Sequence, residues 1–113
     1  MKHAPRPNEY RDVWCGQLTA DRADTQARVA GWVHRRRDHG GLIFIDLRDR
    51  SGIVQLVFHP ENAPEAHERA HALRSEDVIS AFGRVTRRDP QNVNPNPATG
   101  EIELVVTGLD ILA

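Results

Sequence analysis

At 113 residues the chain has room for one domain with a modest core. Hydrophobic residues make up 39% and charged residues 27%, the soluble globular range, and no apolar run approaches the ~20 residues that span a bilayer. The net charge of −1 excludes a globally basic nucleic-acid binder, so any such role has to rest on local charge.

Residues 1–13 begin MKHAPRPNEY, which has no apolar centre and cannot serve as a secretory signal; they read as a flexible tail, with the folded domain over 14–113. Cys15 is the single cysteine, so an internal disulfide is impossible and a reducing, cytoplasmic setting fits. Between Trp14 and Gly16 it reads as a small buried residue rather than a nucleophile. Residues 26–36 alternate, with Ala27, Val29 and Val33 on one side and Arg28, Trp32 and His34 on the other. Gly31 inside that run suggests a bulge or sharp bend. Arg35, Arg36 and Arg37 lead into a turn at His39-Gly40-Gly41. Residues 42–48 form strand two and 53–58 strand three, joined by the hairpin signal Asp49-Arg50-Ser51-Gly52.

The next segment lacks β-branched residues, and Ala66, Ala70 and Leu73 recur at helical spacing. A short helix therefore starts near Asn62 or Ala63, with Pro64 in its first turn. Residues 77–87 form strand four, 88–100 a Pro- and Asn-rich loop, and 101–112 strand five. This order predicts an all-β fold, a five-stranded Greek-key OB barrel with a short helix between strands three and four. Such barrels bind oligonucleotides on strands two and three, under the loops that join strands one to two and four to five. The first of those loops carries Arg35 to Gly41, and the second Arg88, Gln91, Asn92 and Asn94.

Charge is segregated along the chain. Arg28, Arg35, Arg36, Arg37, Arg48 and Arg50 crowd the first strands, while Glu61, Glu65, Glu68, Glu76 and Asp77 lie around the helix. Phe44 falls between Ile43 and Ile45. If the isoleucines fill the barrel, Phe44 points outward, either as a stacking platform for a base or packed beneath a loop. Gln55 shares its face if the two strands pair, and carries both a donor and an acceptor for a base edge. Its other reading is a surface Gln with no role. Glu103 lies on the outer side of strand five, where a carboxylate either reads an amino group of a base or protects an edge strand.

His67-Glu68-Arg69-Ala70-His71 matches H-E-x-x-H, the spacing of zinc hydrolases. The helix is barely long enough, and only His59 offers itself as a third ligand, so the match is read as chance on an Ala-, Glu- and His-rich surface helix. No phosphate-cradling glycine loop and no G-x-S-x-G is present. The expectation is a domain with no catalytic, cofactor-binding or metal-binding residues.

The strings WCGQL (14–18), GWVHRRRDHGGLIFIDLRDRSGIVQLVF (31–58), LRSE (73–76) and NPATGEIEL (96–104) closely resemble the N-terminal anticodon-binding domain of the bacterial-type aspartyl-tRNA synthetase family. The resemblance implies binding of the aspartate tRNA anticodon loop with its bases splayed out. Phe44 would stack on the central uridine and Gln55 read its edge. Glu103 would recognise the first base, a guanine or its queuine derivative. Arg37, Arg74 and Arg88 would hold phosphates or base edges, and Asn92 would sit by the third base. His39 occupies a position that tends to be Leu in enzymes restricted to the aspartate tRNA, and His in those that also charge the asparagine tRNA. The loop RRDPQNVN resembles the stricter enzymes; His39 is given the greater weight, so both tRNAs are expected partners. Thr86 stands where the family often has Arg, which weakens phosphate contact there. The resemblance also implies a homodimeric, cytoplasmic parent ligase whose separate catalytic domain, expected to be absent here, uses ATP and Mg. A free-standing single-strand binder is the alternative.

Overall fold

The computed structural model describes residues 8, 10–93 and 98–113. Residues 1–7, 9 and 94–97 lie outside the described residues, among them Asn94 and the start of the expected tail. Among the described residues there are five strands: β1 (Gln26–His39), β2 (Leu42–Asp49), β3 (Gly52–Phe58), β4 (Val78–Arg87) and β5 (Ile102–Ile111). The α-helix α1 (Pro64–Ala70) lies between β3 and β4. The strands close into a barrel in the order β1-β2-β3-β5-β4, with β4 returning to β1. All neighbours are antiparallel except β3 and β5. This is the OB barrel that the element order predicts.

Side-chain alternation builds the core. Along β2, Ile43, Ile45, Leu47 and Asp49 are buried while Phe44, Asp46 and Arg48 are half-buried on the outer face. Val29, Val33, Leu56, Phe58, Ile79, Val85, Ile102 and Leu104 join them inside. Helix α1 starts on Pro64, whose missing N–H costs nothing at that position. It buries Ala66 and Ala70, with Leu73 just beyond, into the same core and touches β5, β2 and β3. Burying the side chains of Leu or Ile contributes about 1.5–3 kcal/mol each, and this sum holds the barrel closed.

One irregularity decides the outer face. Val33 pairs with Leu47, but Arg35 pairs with Asp46, so β1 spends two residues where β2 spends one. That is a β-bulge at His34. The bulge or sharp bend expected at Gly31 is thus found as a bulge nearer the arginines. Gly31 answers a different need: a Cβ there would lie 2.2 Å from the Arg48 carbonyl oxygen. The two strands can approach so closely only at glycine.

The segment before β1 is pinned to the β2–β3 turn. The buried Asp49 carboxylate accepts from the amides of Cys15 (2.8 Å) and Ser51 (2.8 Å), and from the Ser51 hydroxyl (2.6 Å). The Gly16 amide donates to Ser51 Oγ at 2.8 Å. Upstream, Val13 is buried, the Asp12 amide donates to the Arg28 carbonyl, and Ser80 Oγ donates to the Tyr10 carbonyl. Packing thus begins before Trp14, inside the stretch expected as tail. Cys15 is fully buried, and burial, then the Asp49 charge, pushes its thiol well above the usual range. Such a thiol is a poor nucleophile. Asp49→Ala strands the buried Cys15 amide and frees the turn, and is expected to cost about 2–4 kcal/mol in urea unfolding. A loss under about 0.5 kcal/mol would show that this carboxylate does not hold the N-terminal segment.

Candidate nucleic-acid interface

The bulge re-phases β1 so that Arg35 and Arg37 leave on the outer face, opposite Asp46 and Phe44. Arg36 then points the other way, towards the end of α1. The turn that follows has two central residues, Gly40 (φ 59°) and Gly41 (φ 86°), between the paired His39 and Leu42. Positive φ at both positions favours glycine and matches the right-handed twist of the strands.

These elements surround a cleft of about 580 Å³ lined by Arg37, Asp38, His39, Phe44, Gln55, Arg88, Asn92 and Glu103. β1 contributes the first three residues, β2 Phe44, β3 Gln55, the β4–β5 connection Arg88 and Asn92, and β5 Glu103. Arg37, His39, Phe44, Gln55, Arg88, Asn92 and Glu103, all singled out from the sequence, thus meet in one place. Arg74 does not join them. It is exposed in the turn after α1, where its amide donates to Asp77 Oδ2 at 2.9 Å. Asp38 lines the cleft without having been anticipated.

The cleft floor is a polar relay. Arg37 Nη2 donates to Gln55 Oε1 at 2.9 Å, and Gln55 Nε2 donates to Glu103 Oε1 at 3.0 Å. Each neighbour has only one hydrogen-bonding sense, so the Gln55 amide is held in a single orientation. The Arg37 guanidinium also lies 3.5 Å from Asp46 and 5.5 Å from the centre of the Phe44 ring. A cation over an aromatic face is attracted by the ring quadrupole. Arg88 Nε donates to the Ile102 carbonyl at 2.9 Å, fixing the guanidinium against β5. Burial loosens Arg88's hold on its proton, with the nearby Glu103 charge opposing that loss.

Glu103 is the strained member. Burial pushes its carboxyl above the usual range, against the Gln55 hydrogen bond and the Arg88 charge, which favour ionisation. The cleft thus offers a ring to stack on, an oriented amide, a desolvated acceptor and two guanidinium groups. Stacking rings, edge-reading polar groups and cations for phosphate are the means by which unpaired bases are held.

A neighbouring groove of about 440 Å³ shares Arg37, Gln55, Arg88 and Asn92 and adds His34, Arg35, Asp46 and Ile53. Sequence reasoning left His34 and Arg35 out of the site. A signal for Arg35 existed: strict alternation from the buried Val33 would have driven Arg35 and Arg37 into the barrel, so a phase change was required before them. A more apolar groove of about 480 Å³, lined by Tyr10, Arg11, Trp14, Trp32, Arg50 and Leu112 among others, shares no residue with the cleft. The H-E-x-x-H string begins on α1 and ends at its C-cap, His71; His67 Nε2 hydrogen-bonds the Gly41 carbonyl at 2.8 Å. Among the described residues no three His, Cys, Asp or Glu side chains are grouped to hold a metal.

Residues 27–112 match the tRNA anti-codon family, described as an OB-fold nucleic acid binding domain, and the chain belongs to that family. Its similarities narrow further. It is 54% identical over 103 residues to the aspartate–tRNA(Asp/Asn) ligase of Thermoanaerobacter sp. (strain X514), covering 91% of this chain and 17% of that protein. It is 49% identical over 102 residues to the aspartate–tRNA ligase of Staphylococcus saprophyticus, covering 90% of this chain and again 17% of the relative. The chain therefore spans about a sixth of the length of these curated relatives. Among solved structures, asparaginyl-tRNA synthetase from Pyrococcus horikoshii superposes with a TM-score of 0.76 at 29% identity, over 88% of this chain and 22% of that one. An OBody bound to hen egg-white lysozyme superposes equally well, with a TM-score of 0.76 at 24% identity, and shows the shared fold.

A raised carboxyl pKa means that the folded state favours the protonated form. Its contribution is fully present below the unfolded pKa and is lost as pH rises through the folded one. Glu103→Gln is therefore expected to raise the melting temperature at neutral pH, with the gain vanishing below about pH 4, under the ordinary glutamate pKa of ~4.3. A variant no more stable at neutral pH would show that the carboxylate is well compensated in the free domain.

Proposed function

We propose that this chain binds the anticodon loop of aspartate tRNA, and of asparagine tRNA, as the anticodon-binding part of an aspartate–tRNA ligase. The observation that carries this is the convergence of Arg37, His39, Phe44, Gln55, Arg88, Asn92 and Glu103 on one cleft, from four strands and one connection. Phe44 stacks the central uridine. The Gln55 amide, already oriented by Arg37 and Glu103, retains one N–H and one lone pair for the edge of that base. Glu103 accepts from the N–H groups of a first-position guanine, which replace the water its burial has removed. Arg37 and Arg88 hold phosphates or base edges, and Asn92 meets the third base. Arg74, outside the cleft, is left for a phosphate further along the loop.

His39, exposed beside the turn, is the residue through which the third base is accepted in both forms. The Thermoanaerobacter relative bears the Asp/Asn designation, which supports that breadth. Aminoacylation with ATP and Mg, a cytoplasmic setting and a homodimeric assembly belong to the parent ligase in this proposal, outside the residues of the barrel. No helix among the described residues is long and apolar enough to cross a membrane.

Titration with anticodon stem-loops at a fixed, stated salt concentration tests the proposal. The aspartate and asparagine loops are expected to bind well above an unrelated anticodon. Equal affinity for all three would instead identify a generic single-strand binder. Phe44→Ala is expected to weaken cognate binding by roughly 1–3 kcal/mol, and a loss below about 0.3 kcal/mol with the fold intact would contradict stacking. His39→Leu is expected to shift the aspartate-to-asparagine ratio; an unchanged ratio would remove His39 from third-base selection.

A further inference from the structure

We infer that His67 and Arg36, neither of which lines the cleft, are positioning residues that brace its β1–β2 rim from helix α1. The rim consists of Arg37, Asp38, His39 and the Gly40–Gly41 turn. Both glycines have positive φ, and a Cβ on either would meet nothing within 4 Å. Local packing therefore does little to fix this turn, and glycine is the least restrained of residues.

The restraint comes from elsewhere in the chain. His67 Nε2 donates to the Gly41 carbonyl at 2.8 Å, which fixes the tautomer with hydrogen on that nitrogen. Arg36 Nη1 donates to the carbonyls of His71 (2.5 Å) and Leu73 (3.3 Å), at the C-terminal end of α1. The same guanidinium makes two 2.9 Å bonds to the Asp38 carboxylate, through Nε and Nη2. This fork is planar and bidentate, the stronger kind of ion pair. Arg36 thus ties a rim residue to the end of the helix, and His67 ties the turn to the middle of it. The helix is seated in the core by Ala66, Ala70 and Leu73. His39 sits between the two tethered residues, Asp38 and Gly41.

The H-E-x-x-H spacing then has a structural reason. Residues four apart share a helix face, and the rings of His67 and His71 meet edge to face at 5.0 Å. His71 steadies the ring that holds Gly41. Pairing with Arg36 also pulls the Asp38 carboxyl below its usual range and offsets a charge that would repel phosphate at the cleft.

The effect on RNA binding rests on the anticodon proposal, whereas the restraint on the turn does not. The test uses the full chain with His67→Ala, His67→Gln (whose amide can still donate to Gly41) and Arg36→Lys, which keeps the charge but loses the fork. Three quantities are measured: stem-loop affinity, melting temperature, and hydrogen exchange of the Gly40, Gly41 and Leu42 amides. His67→Ala is expected to bind about three- to tenfold more weakly and exchange faster at the turn, with little change in melting temperature. His67→Gln is expected to restore both, and Arg36→Lys to reproduce the loss. Wild-type affinity and exchange in His67→Ala, or a Gln variant as poor as Ala, would overturn the brace. If the wild-type chain binds no stem-loop, the anticodon proposal fails, and turn exchange in the same variants decides the brace alone.

Discussion

A barrel strand must keep its apolar side chains inside, and β1 satisfies this only by changing phase once. Val29 and Val33 fill the core, and the arginine run follows immediately. Without the extra residue at His34, Arg35 and Arg37 would point into a closed apolar interior, at a cost far beyond the stability of a domain this size. With it, they face the surface alongside Phe44 and Asp46, and Arg36 is sent to the helix end. The β1 side of the cleft, with Arg37, and the support of its rim both follow from that one irregularity.

The cleft is built at some expense to the free domain. Glu103 is desolvated, and its compensation comes from one amide and a guanidinium rather than from a direct ion-pair contact. A partner with N–H groups in the right place completes what the fold leaves unfinished. Asp49 shows the contrast. It is the more deeply buried carboxylate, yet it accepts from two backbone amides and a hydroxyl and serves the fold alone. Two acids of one barrel thus take opposite roles according to how completely their lone pairs are met.

Much of this was legible in the chain. Ile43-Phe44-Ile45 is a period-two pattern over a hydrophobic core, and the side on which Phe44 lies follows from it. Gln55 and Glu103 sit between apolar residues in the same way. The element order, with Pro64 opening a short helix after three strands, was sufficient for the barrel. What could not be read were contacts set by tertiary geometry. Gly31 signals an irregular backbone, but only the paired strands show a close approach there and a bulge further on. Asp38 looks like part of a turn until Arg36 claims it. Arg74 lies in a recognisable string yet outside the cleft, because its position depends on how the helix meets β4. The docking of residues 10–13 was invisible for the same reason, since hydrogen bonds to Arg28 and Ser80 leave no mark on local composition.

The parallel ladder between β3 and β5 is the shortest in the barrel, with only Leu56–Leu104 and Val57–Val105 in register. It is the seam at which the sheet closes. Gln55 and Glu103 stand on either side of it, and their hydrogen bond is a stitch across the join. A molecule gripped by both residues adds further stitches at the place where the backbone supplies fewest. In such an arrangement the ligand acts as a fastener for its own receptor: the closed barrel holds it, and it holds the barrel closed.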